Sequence, residues 1–269
     1  MKTRNLRWST GLCALLLVPT VGLAGGDRDD DDDDEIPFAE AHVFFELNNT
    51  DGDLGIHALI DGEPWKRLRI EDQKERRILD VKVRGRLRRQ GLTEIFFESA
   101  EPPFDELLPK EFFARFPEGT YDIEGITLEG DELESETEIT HAMPAPPEPT
   151  VNGKKAAAQC DEDEPGYDAT EVSAKDGIVI DWPAVTSTHP NLGKKGVINI
   201  NNYQVVVEVE VEVDGEEFAS VLSVILPPKE TSMTIPAEFI AQGEEFKYEV
   251  LAREESFNQT AIESCFVLE

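Results

Sequence analysis

A chain of 269 residues is longer than one small β-sandwich needs, which leaves room for two domains once segments outside the fold are set aside. It carries 57 acidic against 25 basic residues, a formal net charge of −32. So acidic a surface repels nucleic acid and anionic lipid. It favours cations or basic partners, or simply keeps a protein soluble in salty water, where charges are screened over a few ångströms.

The chain opens with Lys2, Arg4 and Arg7, an apolar stretch over residues 12–18 and the small-residue segment Gly22-Leu23-Ala24. That is the layout of a cleavable secretory signal peptide covering residues 1–24. The apolar run is broken by Pro19 and Thr20 and falls short of the roughly 20 residues a spanning helix needs. No transmembrane segment is therefore expected after cleavage, and the mature protein is expected to be secreted or periplasmic. Cys13 leaves with the peptide. Cys160 and Cys265 remain, and an even pair in an exported chain reads first as a disulfide, with two unrelated thiols as the other reading.

Residues 25–35 form an acidic tail with consecutive aspartates at 29–34 and nothing apolar to offset the entropy of ordering. It reads as a disordered spacer or a loose chelator of divalent cations. Order is expected from Ile36. Residues 42–47 (His-Val-Phe-Phe-Glu-Leu) read as a strand, Asn48-Asn-Thr-Asp-Gly-Asp53 as a turn, and residues 55–60 as the returning strand, closed by Asp61-Gly62.

Residues 66–89 invert the electrostatics, holding eleven basic residues against four acids. Leu79, Val81, Val83 and Leu87 share one parity while Lys82, Arg84, Arg86 and Arg88 share the other. That alternation predicts a strand with an apolar face and a basic ridge. Arg89-Gln90-Gly91 is the next turn and residues 93–98 the next strand. From Pro102 to Pro117, Phe104, Leu107, Leu108, Phe112, Phe113 and Phe116 recur at three- and four-residue steps, which predicts a short amphipathic helix divided by Pro109. Its phenylalanines suit a core or, alternatively, a binding groove. Residues 121–126 and 133–140 resume strand character.

The proline-rich segment Met143-Pro-Ala-Pro-Pro-Glu-Pro149 marks a domain boundary, so the first domain is residues 36–143 and the second 144–269. Residues 152–176 are polar and acidic and read as a long surface loop. Strand signals then recur at residues 177–182, 200–213, 218–226, 232–235, 246–253 and 261–268, with Asp214-Gly215 a two-residue hairpin turn. With an extended piece at residues 146–151 this gives about seven strands, the number of an immunoglobulin-like sandwich. The expected fold class is all-β: two β-sandwich-like domains, the first with a short helical insertion.

The second domain resembles a fibronectin type III module over its whole length. The resemblance rests on the proline-rich first strand, on Ile178-Val-Ile-Asp-Trp182, on Asn202-Tyr203-Gln-Val-Val, and on Ile240-Ala-Gln-Gly243-Glu-Glu-Phe246-Lys-Tyr248-Glu-Val250. It implies a core around Trp182, Tyr203, Phe246 and Tyr248. Two departures stand out: Phe246 occupies the place of the family's corner tyrosine, and Gln242 replaces a proline. A Cys160–Cys265 bond, which the family does not generally have, would hold the long loop against the last strand. The first domain resembles no family.

No nucleophile elbow, zinc-protease helix, Cys-x-x-Cys or phosphate-cradling glycine loop occurs, and His42, His57, His141 and His189 fall in separate segments. No catalytic residues are assigned, and no cofactor beyond a candidate Ca²⁺. Asn49, Asp51 and Asp53 sit on alternate residues of a tight turn and could converge on Ca²⁺, although these are also ordinary turn residues. Lys82, Arg84, Arg86 and Arg88 could receive an anionic partner, or could face water or the chain's own acidic tail.

The expected role is that of an exported, non-enzymatic binding or structural module, acting in cell-surface or extracellular adhesion on an unidentified protein or polysaccharide, and not on nucleic acid. The alternatives are an accessory carbohydrate-binding protein, for which Trp65 would be the exposed stacking aromatic, and a secreted enzyme with an unrecognised site.

Overall fold

The computed structural model describes residues 35–160 and 167–269. The signal peptide and the run of aspartates fall outside these residues. In chain order the elements are β1 (Glu40–Asn48), β2 (Asp53–Glu71), β3 (Arg77–Lys82), β4 (Leu92–Glu98), α1 (Pro109–Arg115), β5 (Gly119–Thr127), β6 (Glu132–Ile139), β7 (Thr150–Val151), β8 (Lys154–Lys155) and β9 (Thr170–Val172). They continue as β10 (Ile178–Asp181), β11 (Ile200–Val213), β12 (Glu216–Leu226), β13 (Ser232–Ile235), α2 (Ala237–Ile240), β14 (Glu245–Glu254) and β15 (Gln259–Leu268). The all-β expectation holds.

One large sheet runs β12-β11-β14-β15-β1-β2-β5-β6, with β3 and β4 added on β2 and β9 on β15; a smaller sheet runs β13-β10-β7-β8. The small sheet packs on β11, β14 and β15 around Trp182, Tyr203, Val207, Ile235, Phe246 and Phe266. Trp182 meets Tyr203 edge to face at 5.3 Å, and the Tyr203 hydroxyl accepts the Val185 N–H at 2.8 Å. Phe246 stacks on Phe266 at 4.9 Å, and Tyr248 is buried with them. The corner bond that Phe246 cannot make is present in the other half, where the Tyr121 hydroxyl donates to the Pro117 carbonyl four residues back.

The first core gathers Phe45, Trp65, Leu68, Ile70, Tyr121 and Ile123. Several sequence expectations are corrected here. The strand after the first turn does not close at Asp61-Gly62 but continues to Glu71. Gly62 permits this, because a Cβ there would lie 2.9 Å from the Phe38 ring. Register shifts between Asp61 and Trp65 and between Trp65 and Arg67 bend the strand. Its first half therefore pairs with β1 and β4, and its second with β3 and β5. Trp65 sits in that bend, fully buried, so it is not a surface aromatic.

The basic ridge is shorter than its alternation suggests. β3 ends at Lys82, Val83 is held by its N–H on the Lys66 carbonyl, and Gly85 at φ 65° turns the chain out of the sheet. Residues 84–90 are then an exposed loop with one 3₁₀ turn, and Leu87 is exposed instead of core-facing. The helix likewise is not divided by Pro109 but begins there, since proline at the first helical position loses no hydrogen bond. Phe112 and Phe113 pack on Phe45 as core, while Leu108 is exposed. The described residues of the 152–176 segment are not all loop, since β8 and β9 lie among them.

The two halves meet on one sheet. β15 pairs with β1 in parallel, Glu46 beside Gln259 and Asn48 beside Ala261. Asn258, buried at the turn before β15, accepts the Phe45 N–H at 2.8 Å and donates to the Thr140 carbonyl at 2.9 Å. Met143 is buried in the first core, and the Ala145 N–H reaches the Ser187 carbonyl, so the proline-rich stretch is packed down along its length.

Candidate functional site

Strand pairing collects carboxylates on one face of the shared sheet. Glu46 stands opposite Gly55 and beside Gln259; His57 stands opposite Glu98; Glu249 stands opposite Glu263. Because side chains alternate along a strand, these residues share the face turned away from both cores. The β1–β2 turn adds Asp51 and Asp53, and the segment after β4 adds Glu101.

Glu101 lies flat over β2, where a Cβ on Gly55 would come 2.0 Å from its carboxylate oxygen. Its Oε1 is 2.9 Å from His57 Nε2, and His57 Nδ1 is 3.7 Å from Glu46. Asn48 binds the turn: its Oδ1 accepts the N–H groups of Thr50 and Asp51, and its Nδ2 donates to Glu263 at 2.8 Å. Glu46 accepts a hydrogen bond from Gln259. Asp53 is 7 % exposed and its Oδ1 has no partner among the described residues.

The electrostatic consequence is consistent across the cluster. Burial first, then the charges of Glu101, Asp51, Glu46 and Glu98, push Asp53 up to about 7. Burial and then Asp51 push Glu263 to about 8, although the Asn48 hydrogen bond opposes them. Glu249 is raised well above its ordinary value by burial and by Glu46, Glu263 and Glu101. Burial pulls the His57 imidazole down, but its bond to Glu101 and the surrounding carboxylates outweigh this and raise it.

These shifts set a pH dependence. A carboxylate raised in the folded state stabilises the fold below its unfolded value near 4 and loses that contribution as pH climbs through its folded value. The raised His57 acts in the same direction. Asp72, depressed despite burial by its bonds to Arg76, acts oppositely and weakens the fold below about pH 4. Stability is therefore expected to peak on the acid side of neutrality and to fall towards pH 8. In chelator-treated buffer free of divalent cations, Asp53→Asn should raise the thermal midpoint at pH 8 by roughly 5 °C and leave it little changed at pH 5. Calorimetry across that range checks it, and an equal effect at both pH values would contradict the assignment.

The turn triad drawn from the sequence is not assembled as such. Asn49 Oδ1 is 3.0 Å from His189 Nε2 and serves the seam between the halves, whereas Asp51 and Asp53 join Glu263, Glu46 and Glu101. Among the described residues no three acids, histidines or cysteines already stand in a metal-holding arrangement. Cys160 and Cys265 are bonded, tying the 152–176 segment to β15.

Of the basic set, Lys82 lies 3.8 Å from Asp80, while Arg84, Arg86 and Arg88 lie with Arg89 on the exposed loop. Those four arginines make no ion pair with another described residue. A cavity of about 190 Å³ beside β2 has arginines too, but Arg69 is bound to Glu124 and Arg67 to Asp80.

No protein-family model matches the sequence, and no curated protein matches it. Among solved structures, one from work on host cell surface retention of a 1.5-MDa bacterial ice-binding adhesin is similar at a TM-score of 0.23 and 11% identity, over 88% of this chain and 66% of that one. A tetra-tandem repeat in the extending region of a large adhesion protein is similar at 0.24 and 10%, over 86% and 50%. The BSP domain of a biofilm associated protein is similar at 0.24 and 12%, over 86% and 29%. The chain thus spans between 29% and 66% of the length of these chains, and likeness at this level fixes no shared function. No helix among the described residues is long and apolar enough to cross a membrane.

Proposed function

We propose that this chain is an exported, non-enzymatic binding module, fibronectin type III-like in its second half, that works in cell-surface or extracellular adhesion and makes contact through the arginine loop between β3 and β4. The strand order supports the family reading: β13, β10 and β7 face a four-strand layer of β12, β11, β14 and β15. The observation that carries the binding role is the loop itself. In a chain of net charge −32, residues 84–90 expose four arginines that no described carboxylate neutralises, with Leu87 among them.

Charges separated by more than about 8 Å are largely screened at physiological salt. An acidic polysaccharide can therefore meet this tip locally while the rest of the surface repels it. Recognition of sugar by aromatic stacking is less well supported, because Trp65 and Trp182 are both buried. An active site at His57 and Glu101 is disfavoured in the same way, since the imidazole is buried beyond the reach of a substrate.

The test is retention of the mature protein on immobilised alginate and heparin in about 0.15 M salt. Wild type should be retained, and replacing Arg84, Arg86, Arg88 and Arg89 by serine should weaken binding about tenfold or more with the thermal midpoint unchanged. Unretained wild type, or equal retention of the variant, would remove this contact surface.

A further inference from the structure

The acidic face of the shared sheet does more than tolerate repulsion. We propose that a hard divalent cation, of the kind calcium exemplifies, binds where β1, β2, β4, β14 and β15 meet, with Asp53 and Glu101 as its inner ligands and Asp51 and Glu263 at the rim.

Three independent observations point there. Asp53 is more than nine-tenths buried, and one of its carboxylate oxygens has no partner, an arrangement that costs free energy unless something supplies positive charge. Glu101 is held flat on β2 by the absence of a side chain at Gly55, so the backbone itself reserves space for a carboxylate beside Asp53. The surrounding groups are almost all acids: Glu46 from β1, Glu98 from β4, Glu249 from β14 and Glu263 from β15. His57 and Arg253 are the bases that face them. His57 is engaged by Glu101, and Arg253 by Gln259 and Gln204.

The depth of the place selects the ligand. Side chains that leave 2 % of His57 and 6 % of Glu101 exposed admit an ion but not a lysine or arginine from a partner. Oxygen-only donors select a hard cation of flexible geometry over a thiophilic one. Binding includes rotation of the carboxylates, since they do not yet converge. The position gives the ion its consequence: the donors come from both halves of the chain, so an ion there clamps the parallel β1–β15 pairing. This proposal does not depend on the arginine loop, which lies on another part of β2's surroundings.

Thermal unfolding of the full mature chain at pH 7.5, with CaCl₂ against KCl of equal ionic strength, tests it. Three proteins are compared: wild type, Asp53→Asn with Glu101→Gln, and a chain whose residues 29–34 are changed to asparagine. Calcium at about a hundred times its dissociation constant should raise the wild-type midpoint by roughly 5–10 °C. The same rise should persist in the tail variant and vanish in the double variant. The readout is the calcium increment, so a change in the baseline stability of a variant does not confuse it. If the double variant does not fold, Glu263→Gln on the partly exposed rim should reduce the increment at least by half. No rise beyond that in KCl, an undiminished rise in the double or Glu263 variant, or loss of the rise in the tail variant alone would each overturn the proposal.

Discussion

Reduction of the Cys160–Cys265 bond should lower the midpoint of thermal unfolding by roughly 8–20 °C, the largest effect expected of any single covalent change. The bond spans a sequence separation of 105. Closing a loop of that length removes about 4–5 kcal/mol of chain entropy from the unfolded state, and each kcal/mol moves the midpoint of a chain this size by about 2–4 °C.

The effect should act through the unfolded chain, because the segment has other ties in the fold. β9 pairs with β15 in parallel, the Ser264 hydroxyl donates to the Ala157 carbonyl at 3.1 Å, and the Thr170 hydroxyl donates to the Lys155 carbonyl at 2.8 Å. A Cys160→Ser, Cys265→Ser variant should therefore keep its native circular dichroism while melting at the reduced temperature. Calorimetry of wild type with and without reductant, beside that variant, checks it. An unchanged midpoint would mean that the loop is already closed in the unfolded ensemble.

Asn258→Ala should cost about 3–5 kcal/mol, more than its size suggests. The residue is 1 % exposed and its side chain ties two other segments, β1 and residues 140–142, to the turn before β15. It accepts the Phe45 N–H from β1, donates to the Thr140 carbonyl after β6, and lies also within 3.4 Å of the Ala142 carbonyl. Alanine leaves a buried donor and buried acceptors unpaired, and each such group costs about 1–3 kcal/mol. Asn258→Asp separates the contributions: it keeps an acceptor for Phe45 but sets a carboxylate against two carbonyls, so it should be nearly as damaging. Denaturant unfolding of the two variants measures both. The burial also bears on modification, since Asn258 and Asn48, each in an Asn-x-Thr sequence, are turned into the fold.

What could be read from the residues was the local part. Alternation along residues 200–213 marks β11 and its core face, and Asp214-Gly215 marks the β11–β12 turn; both stand in the structure. Trp182 as a core residue was implied by the family resemblance of residues 178–182, and it is buried. Structure and local signal part where a tertiary contact overrides the local one. Leu87 has the parity of a strand residue, but no neighbouring strand is available to pair beyond Lys82, so the chain leaves the sheet. Asp61-Gly62 has turn chemistry, but pairing with β4 and the close approach of Phe38 carry the strand on through it, bent and not reversed.

The acidic face was legible only at Asp51 and Asp53. Glu46 and Glu263 are more than two hundred residues apart, and the parallel β1–β15 pairing that brings them together leaves no periodic mark.

A sheet shared through the β1–β15 pairing makes the two cores unfold as one body. Each core holds a single tryptophan, Trp65 in the first and Trp182 in the second, so each can report on its own half. Chemical unfolding is followed by fluorescence in two mature proteins, one with Trp182→Phe and one with Trp65→Phe, against far-ultraviolet circular dichroism of each. Within each protein the tryptophan and backbone transitions should coincide in midpoint and slope, and Asn258→Ala should pull them apart. A tryptophan that responds before or after the backbone signal in the otherwise unaltered sheet would show that the halves unfold separately, contradicting the shared-sheet account.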